Sequence, residues 1–101
     1  MYKDLLPIGS IVLLKDAKRK LMINGRIVTK SGEDEIYDYT GVIYPVGVTG
    51  SENMYFFNRD AIDTVFFIGY QDKEELDFRS NVLDTLGELT VVDGQIVPKL
   101  S

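Results

Sequence analysis

The chain has 101 residues, 45% of them hydrophobic, a net charge of −5, no cysteine and no histidine. That length suits one domain with a single small core, and the missing residue types exclude disulfide frameworks, thiolate nucleophiles, histidine-based triads and the usual zinc sites. Charge is divided along the chain: residues 1–30 hold seven of the eleven Lys and Arg against two acids, whereas residues 31–101 hold four against fourteen.

The opening stretch MYKDLLPIGSIVLLKD has too short an apolar run before Lys15 to cross a bilayer. It also lacks the basic start and small-residue cleavage site of a signal peptide, so cytoplasmic residence without membrane insertion is expected. GSIVLLK, after Pro7, reads as a well-buried strand. In KLMINGRIVTK the dipeptide Asn24-Gly25 stands between LMI and RIV and tolerates the positive φ angles of a type I′ turn, which predicts a tight hairpin there. The neighbouring Lys18-Arg19-Lys20 has the charge to touch phosphates, yet an acidic chain of pI near 4.6 is a poor nucleic-acid binder. A solvated turn is the reading preferred.

SGEDE is a charged loop, and IYDYTGVIY a long aromatic strand with Gly41 as a bend or bulge within it. After the turn-rich PVGVTGSEN come a short strand, MYFF, and about one helical turn that Asn58 of NRDAID is placed to cap. TVFFIGY is another strong strand. The spacing of these short strands predicts a mainly β fold, either a small SH3-like barrel or a strongly curved antiparallel sheet.

QDKEELDFRSNVLDTLGE changes period and predicts a C-terminal helix over 72–86 packed on the sheet. Asp72 and Glu75 are placed as a capping box and Gly87 as the residue that ends the helix. Leu76, Phe78, Val82, Leu83 and Leu86 share a broad apolar arc. Glu75 and Arg79 project into the same arc, either as an ion pair whose arginine stem lies over the core or as a face that meets a partner. One domain over 1–88 is followed by a tail or short hairpin over 89–101, where Asp93-Gly94 separates TVV from QIV. With Val91, Val92, Ile96 and Val97 that hairpin either docks on the domain or pairs with a second copy through residues 89–97, and Pro98 ends its strand.

Carboxylates are the only plentiful catalytic groups, with Asp38, Asp60 and Asp63 the candidates. Acid and base work needs two of them about 5 to 10 Å apart in a pocket that separates their pKa values. A domain this small has little room for such a cleft, so no enzymatic activity is expected. The runs EDE at 33–35 and DKEELD at 72–77 lack the alternating ligands and central glycine of a calcium loop, and neither metal nor cofactor is expected. GVTG at 47–50 matches a G-x-x-G clamp only superficially, having no helix beside it.

The tyrosines say more. In IYDYTGVIY, period two sends Tyr37, Tyr39, Gly41 and Ile43 to one face and Ile36, Asp38, Thr40, Val42 and Tyr44 to the other. Neither face is cleanly polar, so the strand is either a core beam or a partner-facing surface. Tyr37, Tyr39 and Tyr44, with Glu75 and Arg79 on the helix, are the candidate protein-binding residues.

Three stretches, LPIGSIVLLKDAKRKLMINGRIV, YDYTGVIYPVG and YFFNRDAIDTVFFIGYQDKEELDF, resemble in that order a family of small uncharacterised proteins encoded beside LXG toxins in type VII secretion loci of Gram-positive bacteria. The resemblance runs from Leu6 to Phe78 and does not extend to the tail after Gly87. It implies a cytoplasmic, non-catalytic accessory, a chaperone, adaptor or targeting factor for an LXG effector or another secretion component, and it supplies no catalytic residues. An immunity protein that neutralises a toxin domain, or a small carboxylate-dependent enzyme, are the alternatives.

Overall fold

A computed structural model describes residues 1–99. Strands β1 (Ile11–Leu14), β2 (Leu21–Thr29), β3 (Ile36–Ile43), β4 (Tyr55–Phe57) and β5 (Ile62–Phe67) form one antiparallel sheet in the order β4-β3-β2-β1-β5. The outer strands do not pair with each other, so the sheet is open and not a closed barrel. β4 is only three residues long and bonds to β3 alone. The short 3-10 turn Arg59–Ala61 then carries the chain from one sheet edge to the other, where Lys15 N donates to Ala61 O at 2.9 Å.

The hairpin expected at Asn24-Gly25 does not form. β2 runs through both residues, and its pairing with β3 steps from Ile23↔Gly41 to Gly25↔Thr40, leaving Asn24 as a bulged residue. Its amide is used there, with Asn24 Oδ1 accepting from the buried Thr40 hydroxyl at 2.9 Å. The long pairing with β3 outweighs the local turn preference of the dipeptide. Gly41 is therefore neither bend nor bulge. It is a small residue under the Phe57 ring, where a Cβ would stand 3.2 Å from Phe57 Cε1.

Val12, Leu21, Ile23, Tyr39 and Phe57 of the sheet pack with Tyr2, Leu5 and Leu83 into one core. Asn58 precedes the 3-10 turn but does not cap it with its side chain. Its Oδ1 instead accepts from Asp38 N at 2.9 Å, and Asp38 Oδ2 accepts from Arg59 N at 2.9 Å and Arg59 Nε at 3.1 Å. The carboxylate from β3 thus supplies the cap that the asparagine was placed to supply.

Helix α1 covers Lys73–Asn81, shorter than the expected 72–86. Asp72 Oδ1 accepts from Glu75 N at 2.9 Å, which is half of the capping box; the Glu75 side chain is directed elsewhere. After Val82, at φ −118°, a separate 3-10 turn spans Leu83–Thr85. Gly87 lies beyond it without a left-handed φ, so it does not end the helix. Of the apolar arc only Leu83 is buried, while Leu76, Phe78 and Val82 remain exposed. The tail forms a hairpin of β6 (Leu89–Val92) and β7 (Gln95–Pro98), turned by Asp93 at φ 52° and Gly94 at φ 78°. Those angles are the type I′ signature. The hairpin docks on its own domain, β7 near β2 and β6 near β3, with Leu89 against the core. Pro98 is the last residue of β7, and residues 100–101 of the expected tail lie outside the described residues.

A buried clasp sets the path from β5 to the helix. Gly69 N donates to Ser10 Oγ at 2.9 Å, and that hydroxyl donates to Pro7 O at 2.8 Å. A Cβ on Gly69 would collide with the carbonyl oxygen of Ile8, a backbone atom with little freedom to yield. Gly69→Ala is expected to cost about 3 kcal/mol, the upper end for overpacking. Gly87→Ala, whose Cβ would meet nothing within 4 Å, should stay within about 0.5 kcal/mol of wild type. Urea denaturation of both variants checks the pair.

Candidate functional site

The five candidate residues separate once the chain is folded. Tyr39 is only 1% exposed. Its ring lies 5.4 Å from that of Phe57, its hydroxyl accepts from Leu6 N at 2.9 Å, and burial raises its pKa. Tyr39 is a core residue and has no surface to offer a partner, a correction to the sequence expectation. Tyr37 is half-buried at the sheet margin, its ring 5.6 Å from that of Phe56. The Tyr37 hydroxyl donates to Glu33 Oε1 at 2.9 Å, and that bond, with neighbouring carboxylates, pushes the phenol up to about 12.

Glu75 and Arg79 are turned toward the sheet. Arg26 of β2 grips the Glu75 carboxylate through Nη2 to Oε1 at 2.8 Å and Nη1 to Oε2 at 3.3 Å, and Arg79 Nη2 donates to Oε2 at 2.8 Å. Arg79 Nη1 also donates to Lys3 O in the N-terminal arm. The Arg26 and Glu75 side chains are 9% and 11% exposed, and the Arg26 guanidinium lies 5.3 Å over the Phe78 ring. Burial alone would raise the Glu75 pKa. Hydrogen bonds and charge from the two guanidiniums outweigh it and hold the carboxyl below its ordinary value. The group is a clamp between helix and sheet.

Tyr44, just past β3, is different. It is 45% exposed and belongs to an apolar face that the tyrosine pattern did not reveal. Pairing of β1 with β5 steps from Ile11↔Phe67 to Val12↔Val65, so Phe66 is an extra residue in β5. This bulge sets Phe66 and Phe67 together against Ile11, and both line a recess of about 480 Å³ with Met22, Tyr44 and Lys20. Phe66 and Phe67 are 53% and 59% exposed. Lys20 Nζ stands 4.9 Å over the Phe66 ring and 6.0 Å over that of Tyr44. The available signal was TVFFI, whose unbroken apolar run does not alternate as a half-buried edge strand should.

The recess offers aromatic and aliphatic surface with one cation at its rim and no acid. Among the described residues, no three acids gather in a group able to hold a metal ion.

The family model for a domain of unknown function, DUF4176, matches residues 5–78. The chain belongs to this family. The matched DUF4176 region takes in the whole open sheet, the apolar recess and the Arg26–Glu75 pair, and it stops inside α1 before Arg79. The β6–β7 hairpin lies outside it. No curated protein and no solved structure matches this DUF4176 chain.

The clamp makes a pH prediction. A depressed carboxylate contributes its stability in full above its unfolded pKa, about 4.5, and loses it as pH falls through the lower folded value. The stability difference between wild type and Glu75→Gln should be flat from neutral pH down to about 5 and shrink toward zero below about 4.5. Glu75→Ala at neutral pH leaves two arginines unpaired side by side and should cost about 3 kcal/mol, or roughly 12 to 24 °C in Tm. Thermal unfolding followed by circular dichroism across the pH range measures both.

Proposed function

We propose that this DUF4176 protein is a non-catalytic, cytoplasmic protein-binding factor whose docking surface is the recess around Phe66, Phe67 and Tyr44. The observation that carries this reading is the set of solvent-facing aromatic rings gathered by the β5 bulge. Soluble monomers rarely leave a contiguous apolar patch of this kind without using it, and exposed aromatics with a cation at the rim resemble the centre of a protein interface. No helix among the described residues is long and apolar enough to cross a membrane. The choice of partner comes from the resemblance over Leu6 to Phe78: an LXG effector of type VII secretion, or another component of that system, which the protein serves as chaperone, adaptor or targeting factor.

Co-expression with the N-terminal domain of a genetically adjacent LXG effector tests the reading. A co-purifying complex is expected, weakened at least about 30-fold by Phe66→Ser/Phe67→Ser, the loss of about 2 kcal/mol typical of an interface anchor. Because both rings are already half in solvent, the double variant should keep the wild-type Tm within a few degrees. Binding to the toxin half of the effector, with rescue of poisoned cells, would assign an immunity role instead.

A further inference from the structure

Among the described residues, most of the positive charges without an internal ion pair fall in one turn, whose Lys20 rims the recess. Arg26, Lys30, Arg59, Lys73, Arg79 and Lys99 each form an ion pair within the domain. Among the described residues Lys3, Lys15, Lys18, Arg19 and Lys20 form none. All but Lys3 fall in the turn between β1 and β2. That turn is fixed in shape, with Asp16 at φ 61° and Ala17 N donating to Leu14 O at 3.1 Å. Lys18 and Arg19 border a second, smaller apolar recess of about 230 Å³ that includes Leu14, Ile43 and Tyr55, while Lys20 rims the larger one. The turn, with four cations and Asp16, thus stands at the end of the sheet with an apolar hollow on either face, in a protein whose net charge is −5.

We infer that the occupant is an acidic, apolar segment of the partner protein, which lays aliphatic or aromatic side chains over Phe66 and Tyr44 and sets carboxylates against Lys18, Arg19 and Lys20. The inference rests on the reading of the recess as a protein-binding surface. Charge complementarity selects the sign, because among the described residues the four cations of the turn form no ion pair, Asp16 offsets only one of them, and an acidic segment would neutralise the rest. A second copy of this chain fits poorly, since a two-fold contact through this patch sets the basic turns of both copies against each other. Nucleic acid fits poorly as well: the recess is lined mainly by apolar side chains, and a net charge of −5 disfavours a polyanion. Size favours a segment over a broad rigid face. Half-exposed rings offer roughly 100 Å² each, so Phe66, Phe67 and Tyr44 with the neighbouring Lys and Arg stems fall short of the roughly 800 Å² per partner of a standard interface.

The test is selection from a library of random linear peptides against the immobilised full chain, followed by titration of the selected peptides by fluorescence anisotropy at low and high salt. Selected sequences should combine Asp or Glu with aromatic or aliphatic residues and carry net negative charge. Their affinity should fall about tenfold or more in Lys18→Glu/Arg19→Glu/Lys20→Glu, by a similar factor in Phe66→Ser/Phe67→Ser, and also at high salt. Neutral or basic selected peptides, or binding indifferent to the charge reversal, would overturn the inference. So would tighter binding of oligo-dT or of phosphatidylserine vesicles through the same lysines. The effector complex separates the two proposals. A complex that survives the charge reversal but is lost in the phenylalanine variant keeps the docking surface and removes the acidic occupant, whereas one that survives both removes the recess altogether.

Discussion

The carboxylate of Glu75, held between the guanidiniums of Arg26 and Arg79, is the contact on which the C-terminal third depends. α1 buries no residue fully, so hydrophobic packing does less than the clamp to set its position. The clamp ties it to β2 through Arg26 and to the N-terminal arm through the bond from Arg79 to Lys3 O. Taking three charges partly out of water opposes the gain, and such a group is tolerated where the geometry is close and every oxygen has a donor. Both Glu75 oxygens do. With the helix so placed, Leu83 reaches the core and the β6–β7 hairpin folds back across the sheet.

Two register shifts shape the sheet itself. At Asn24 an extra residue in β2 is accommodated by a hydrogen bond to Thr40, keeping a long strand in register with β3. The bulge at Phe66 in β5 changes what the surface exposes. A free edge strand rich in Val and Phe invites pairing with other chains, and a bulge both interrupts that template and re-aims its side chains. The exposed rings of Phe66 and Phe67 therefore lie together at this edge, with Lys20 over the Phe66 ring.

Two Asx-Gly dipeptides show what could be read in advance. Asp93-Gly94 turns as its sequence predicts, because TVV and QIV pair with each other and with no third strand, leaving local geometry to decide. Asn24-Gly25 carries an equally good turn signal and does not turn, because β3 offers one continuous partner to the residues on both sides. Tyr37 and Tyr39 share a predicted face, yet Tyr39 lies under Phe57 in the core while Tyr37 sits at the margin against Phe56. Of the proposed contact residues only Tyr44 falls on the candidate surface, and its neighbours Phe66 and Phe67 were legible merely as strand formers.

Local chemistry, read from the sequence alone, determined the mainly β class, the approximate strand positions, the Asp72 cap and the terminal hairpin, since each follows from residues near one another in the chain. Tertiary structure alone decided that the sheet stays open, that Glu75 faces inward and that the exposed rings are those of β5. Those outcomes depend on register and on charges brought together from distant positions, as when Arg26 meets Glu75 and Ile11 meets Phe67. A bulge of one residue changes which side chains share a face, and no periodicity in the chain announces where long-range pairing will put it.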